Sequence, residues 1–188
     1  MKVFDFDDTI YDGESSFDFF KFCLKRKKSL MRYMPSVISK AVKYKSGELA
    51  PKDARQFADK MVKVFFDNCR DLDVLVREFW SAHAQKLMPH MLDKISPDDA
   101  VISASPRFLF EGIKDRLPTK NIICTELDEE NKTLALFCHG DNKLTSFRDR
   151  FGSTPIDEVY TDSLDDLPLI NAAEKAFLVD KGEITQIK

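Results

Sequence analysis

The 188-residue sequence has no apolar run approaching the roughly 20 residues that a membrane-spanning helix needs. A helical membrane protein is therefore excluded. Its four cysteines, Cys23, Cys69, Cys124 and Cys138, lack paired metal-ligand spacing, and His83, His90 and His139 lack a two-histidine ligand spacing. The histidines read as surface or packing residues. No signal-peptide pattern precedes the cysteines and Met1 leads directly into a strand, so the expectation is free thiols in a reducing cytoplasm. Internal repeats and low-complexity segments are also missing. Net positive charge is lacking too, at −3 overall, which argues against a general affinity for nucleic acid.

What is present is a core-forming composition. The chain is 43% hydrophobic with 16 Phe, enough for one sizeable core and a small second subdomain. A disordered chain would not carry so much Phe. Charge is unevenly placed: Lys25 to Lys45 holds eight bases and no acid, leaving 21 bases against 32 acids elsewhere. The simpler reading is a solvated helix face that balances an acidic body. The other is a docking surface for an anionic substrate, or peripheral contact with an anionic membrane.

The chain divides into three textures. Residues 2–6 read as a short buried strand, and residues from about 15 to 93 carry helical periodicity almost throughout. Pro35 should begin or kink a helix, the pattern breaks near Gly47, and Asn68 to Asp71 is another joint. Trp80 and Phe79 read as core. After residue 96 strands and helices alternate: "AVISAS", a helix "PRFLFEGIKDRL", "NIICTEL", a hairpin strand in "DEENKTLALF", a helix "NKLTSFRDRFG", "DEVYTD", "LPLINAA" and a last strand "KAFLVD". The expected fold is α/β, a doubly wound Rossmann-like parallel sheet with a helical cap inserted after the first strand. Residues 1–13 and 96–188 would form the core domain and 14–95 the cap.

In such a sheet ligands bind at the carboxyl ends of the strands. The first strand presents Asp5, Asp7 and Thr9 there, the second Ser103 and Ser105, and the strand near Thr161 presents Asp162, Asp165 and Asp166. Clustered carboxylates resist burial unless something compensates. A magnesium ion held through Asp5 and Asp162 would do so, with water completing its shell. Lys143 opens a helix nearby, and Ser103 offers a hydroxyl for a phosphoryl oxygen. Asp8 and the Asp12–Gly13 pair read as turn residues.

Four segments in order, "VFDFDDTI", "VISAS", "CHGDNK" and "YTDSLDDLPLI", resemble the motifs of the haloacid dehalogenase superfamily. The similarity is to its subfamily IB, the phosphatase branch related to phosphoserine phosphatases. It spans about residues 1 to 180 and includes the helical cap. The resemblance implies a magnesium-dependent phosphatase for a small phosphomonoester. Asp5 would be the nucleophile that becomes an aspartyl-phosphate, and Asp7 the acid and then base. Ser103 and Lys143 would hold the phosphoryl group. The metal would be held by the Asp5 carboxylate, the Asp7 carbonyl and Asp162, with Asp166 rather than Asp165 acting through water.

Those enzymes usually follow the second-motif Ser with two glycines, where this chain has Ala104, Ser105 and Pro106. Phosphoserine is thereby put in doubt, and a lipid phosphate becomes an alternative. Glu14, Ser15 and Ser16 are expected substrate contacts from their position at the cap entrance, and Thr9 and Ser105 from theirs at the strand ends. Transfer of the phosphoryl group to an acceptor other than water uses the same motifs. A non-catalytic binding module would be favoured by loss of Asp5 or Asp7, and both are present.

Overall fold

The computed structural model describes residues 1–46, 48 and 50–188. The central strand, β1 (Lys2–Asp5), is apolar at Val3 and Phe4, as a strand covered on both faces must be, and both are wholly buried. It pairs in parallel with β2 (Ala100–Pro106) on one side and β5 (Ile156–Thr161) on the other. β3 (Asn121–Asp128) and β6 (Ala173–Asp180) extend the parallel block. Antiparallel strands β4 (Thr133–Leu136) and β7 (Glu183–Gln186) close the two edges. The order β4-β3-β2-β1-β5-β6-β7 leaves β1 in the middle, with the chain continuing to either side. That is the topological switch point, so the carboxyl end of β1 opens into a crevice.

Among the described residues, the α-helices between β1 and β2 are α1 (Ser15–Arg26), α2 (Met34–Lys45), α3 (Pro51–Asn68), α4 (Leu72–His83) and α5 (Pro89–Leu92). Pro35 sits in the first turn of α2, where its missing N–H costs nothing. The break read at Gly47 lies outside the described residues. The joint at Asn68 to Asp71 separates α3 from α4. The chain enters and leaves this insert side by side: the Asp12 amide donates to the Lys86 carbonyl at 2.8 Å and the Met88 amide to the Ile10 carbonyl at 2.8 Å. Asp18 braces the same junction, accepting from the Tyr11 hydroxyl at 3.0 Å and from Lys86 at 2.7 Å.

The insert shares its apolar interior with the sheet. Phe6 at the end of β1 meets Phe110 with ring centroids 4.9 Å apart and Trp80 of α4 at 6.3 Å, both edge to face. On the far side α3 reaches the sheet edge, where the Leu134 amide of β4 donates to Asp59 at 2.8 Å and Lys132 pairs with Asp67 at 2.5 Å. In the basic stretch, Arg26 pairs with Glu78 and Lys27 with Asp71, while Lys25 and Lys28 are exposed. Among the described residues, no helix is long and apolar enough to cross a membrane.

Two elements differ from the sequence reading. The helix expected from Pro106 to Leu117 is only α6 (Arg107–Glu111), followed by a 3-10 turn at Lys114–Arg116. The Leu109 carbonyl accepts from the Trp80 indole at 2.7 Å, and a Cβ on Gly112 would stand 2.5 Å from the Val76 side chain. Packing against α4 therefore ends the helix early. The sheet also continues past "KAFLVD" into β7, turned through Lys181 and Gly182 at positive φ.

Candidate active site

The side-chain alternation of β1 carries Phe4 and Phe6 into the core and turns Asp5 and Asp7 away from it. The chain then folds tightly: the Phe6 carbonyl accepts from the Ile10 and Tyr11 amides, and Asp8, at φ 50°, donates its amide to the Gly13 carbonyl. This loop fixes Asp7 beside the end of the strand. Asp7 is held by three donors, the Ser15 amide at 2.6 Å, the Ser105 hydroxyl at 2.8 Å and the Ser103 hydroxyl at 3.3 Å. Burial nevertheless raises its pKa against the pull of the Ser15 and Ser105 bonds.

Lys143 arrives from α7 (Asp141–Phe151), which starts after Gly140 at φ 55° and ends at Gly152 at φ 60°, with Arg148 and Arg150 in its last turn. Its ammonium is buried and donates to Asp5 at 2.6 Å and to Asp166 at 2.7 Å. Burial alone would disfavour that charge, but the Asp5 and Asp166 carboxylates outweigh it and raise the Lys143 pKa. Asp166 lies in the 3-10 turn Leu164–Asp166, just before α8 (Leu167–Ala172), and also accepts from the Thr161 hydroxyl at 2.8 Å. Its neighbour Asp165 is exposed.

Asp5 and Asp162 show the strain of crowding. Burial raises the Asp5 pKa despite Lys143, and it pushes Asp162 up to about 6 despite a hydrogen bond with Asp5. Two carboxylates within hydrogen-bonding reach need a proton or a cation between them. Asp5, Asp162 and Asp166 together face the single ammonium of Lys143, a deficit of two positive charges. An all-oxygen donor set with that deficit fits a hard divalent cation that keeps several waters. Among the described residues, no three His, Cys, Asp or Glu side chains form a ready-made cage, so such a cation would rely on water and backbone oxygen as well.

These groups line a hollow of about 50 Å³, together with Glu14, Ala104 and His139. A family model for haloacid dehalogenase-like hydrolases matches residues 3–171. The chain belongs to that family. A protein of unknown function from Bordetella pertussis Tohama I shares the fold of this family member with a TM-score of 0.77, 16% identity, and coverage of 94% of this chain and 87% of that one. A phosphoserine phosphohydrolase-like protein from Francisella tularensis subsp. tularensis SCHU S4 does so with a TM-score of 0.65, 17% identity, and coverage of 97% and 90%. A third, a HAD family hydrolase from Salmonella enterica subsp. enterica serovar Typhi, gives a TM-score of 0.51, 14% identity, and coverage of 91% and 58%. None of the curated proteins matches this hydrolase-family chain.

The expected substrate contacts fall into two groups. Glu14 lines the hollow, whereas Ser105 and Ser16 line a larger cavity that adjoins it. Thr9 and Ser15 are wholly buried and do not line the hollow; Ser15 bonds to Ser105 at 2.9 Å, and the Thr9 hydroxyl meets no partner among the described residues. Ser103 is likewise buried behind Asp7, accepting the Ser105 amide at 2.9 Å. His139 was read from the sequence as a surface or packing residue, yet it lines the hollow and stacks on Phe137 at 5.3 Å. Burial and the Lys143 charge lower its pKa. Its place inside "CHGDNK", four residues before Lys143, was the available signal.

Proposed function

We propose that this hydrolase-family protein is a magnesium-dependent phosphomonoester phosphatase that works through an aspartyl-phosphate on Asp5. The observation that carries the reading is the buried Lys143 bridge to Asp5 and Asp166, beside an Asp7 held by three donors. An Asp5 carboxylate oxygen attacks phosphorus while the bond to the leaving oxygen breaks. Protonated Asp7 gives its proton to that oxygen, releasing an alcohol. Water then attacks the Asp5-bound phosphorus, Asp7 takes its proton, and the phosphorus–Asp5 bond breaks to free phosphate.

Each environment suits its role. A carboxyl whose pKa is raised by burial exchanges protons closer to neutrality, as an acid that becomes a base must. Ser15, Ser103 and Ser105 act by positioning Asp7, and the Lys143 ammonium offsets the negative charge of the phosphoryl group. Asp5, the Asp7 carbonyl and Asp162 would hold magnesium, with Asp166 reaching it through water. When bound, the ion neutralises oxygen charge around phosphorus.

The deciding experiment measures phosphate release from a broad panel of phosphomonoesters, including p-nitrophenyl phosphate, with magnesium present. Turnover should be lost in Asp5→Asn, and beryllofluoride should bind the unaltered protein far better than the variant. Full activity in purified Asp5→Asn would overturn the mechanism. Product analysis with and without an added alcohol separates hydrolysis from transfer.

A further inference from the structure

The hollow does not end at Asp7. Asp7, Glu14, Ala104 and His139 also form the near wall of a second cavity of about 360 Å³, which runs between the cap helices and the sheet. Phe57, Met61 and Phe65 line it from α3, and Phe108, Leu134 and Phe137 line it from the core side. The α3 residues recur every four positions, a stripe that would read as core from sequence. Here the stripe packs against the core only in part and also borders open space. An apolar cavity of this size lies in the range of ligand sites, and leaving it empty forfeits contacts that an apolar occupant would restore.

We propose that this chamber holds the aliphatic tail of the leaving group, making the substrate a phosphomonoester with a long hydrocarbon chain. The inference rests on the phosphatase reading of the adjoining hollow. Asp7, which protonates the leaving oxygen there, stands at the boundary of the two cavities, so the alcohol portion projects from it into the chamber. An amino-acid leaving group fits poorly. It would bring an ammonium and a carboxylate into a wall that is mostly apolar, where unpaired charge is costly. The hydroxyls at the boundary are already committed: Ser16 bonds to Ser105 at 2.8 Å, and Ser105 donates to Asp7. Thr125 donates to the Ala104 carbonyl at 2.7 Å and accepts the Cys138 amide at 3.1 Å. Among the described residues, Lys40 is the one Lys or Arg that lines the chamber.

The test is a chain-length series of n-alkyl phosphates from ethyl to decyl, assayed with magnesium below the concentrations at which they self-associate. kcat/KM should climb by about fourfold for each methylene that enters the chamber, reaching at least about a hundredfold between ethyl and decyl. Calorimetric binding of the same series to Asp5→Asn reads the tail without turnover, and should tighten in parallel with a negative heat-capacity change. Ala58→Phe, which fills the chamber from α3, should cut the decyl-to-ethyl ratio at least about tenfold in both measurements. Geranyl phosphate and an acyl-glycerol phosphate, added as further arms, distinguish an isoprenoid from a glycerolipid source. Ethyl and p-nitrophenyl phosphates turned over with no dependence on chain length would overturn the chamber assignment and leave the phosphatase standing. Length-dependent binding with no turnover of any phosphomonoester would sustain the chamber and overturn the phosphatase instead.

Discussion

Lys143 and Asp166 are 23 residues apart in sequence, yet the Lys143 ammonium lies 2.7 Å from the Asp166 carboxylate with both groups buried. The same ammonium reaches Asp5 at 2.6 Å, from a strand near the other end of the chain. One cation thus ties α7, the loop after β5 and the central strand to a single point.

Lys143→Met removes that point and leaves two buried carboxylates facing each other. Breaking a buried pair in this way costs about 3–5 kcal/mol, to be measured by denaturant unfolding at neutral pH. Phosphatase turnover should fall by about 10²–10³-fold, the scale for loss of one preplaced charge-stabilising group. Wild-type stability in this variant would count against the bridge.

Asp7→Asn tests proton transfer separately from nucleophilic attack. The amide keeps the shape and can still bond to Ser103 and Ser105, so the fold should survive. Steady-state rates should drop about 10²–10⁴-fold. Formation of the aspartyl-phosphate should suffer less with p-nitrophenyl phosphate, whose leaving group needs no proton, than with an alkyl phosphate. Rapid-quench comparison of the two substrates reads the difference, and equal losses would refute Asp7 as the acid.

Magnesium should stabilise the protein as well as activate it. At one hundred times its dissociation constant, a ligand specific to the folded state adds about 2.7 kcal/mol. The resulting rise in melting temperature should be seen in the wild-type chain and largely vanish in Asp162→Asn. Calcium should compete and inhibit, since its larger and looser oxygen shell draws the Asp5 carboxylate out of line.

Asp18 gives the junction between the helical insert and the sheet a pH dependence. Burial pushes its pKa up, but hydrogen bonds from Lys21, Lys86 and Tyr11 overcome this and hold the carboxyl below its ordinary value. A depressed folded pKa stabilises above the unfolded value of about 3.9, and the contribution is lost as pH falls through the folded value. The melting-temperature deficit of Asp18→Asn should therefore be constant from about pH 5 to 8 and shrink below about pH 4. A deficit that stayed undiminished as pH falls below about 4 would show that packing, rather than charge, is what Asp18 contributes.

Local pattern was sufficient for much of this protein. An apolar strand start followed by Asp5 and Asp7, helical periodicity through the insert, and strands alternating with helices after residue 96 are all set by nearest neighbours along the chain. The order of the four motifs needed nothing more, because each is a strand end or a helix start whose residues are close in sequence. Tertiary structure decided everything that depends on what stands opposite. The fourth motif favours Asp166 over Asp165 by its place before Leu167, but that it is buried against Lys143 while Asp165 is exposed follows only from the turn before α8. Ser15 and Ser105 are serines at an entrance until the fold joins them at 2.9 Å behind Asp7. The helix after Pro106 stops early where it packs on α4, with the Leu109 carbonyl accepting from Trp80, 29 residues upstream, as well as from Gly112. The chamber was least legible of all, since the α3 stripe has the spacing of any core-facing helix. That this stripe borders a cavity as well as core side chains depends on how α3 sits against the sheet edge, where Asp59 and Asp67 meet Leu134 and Lys132.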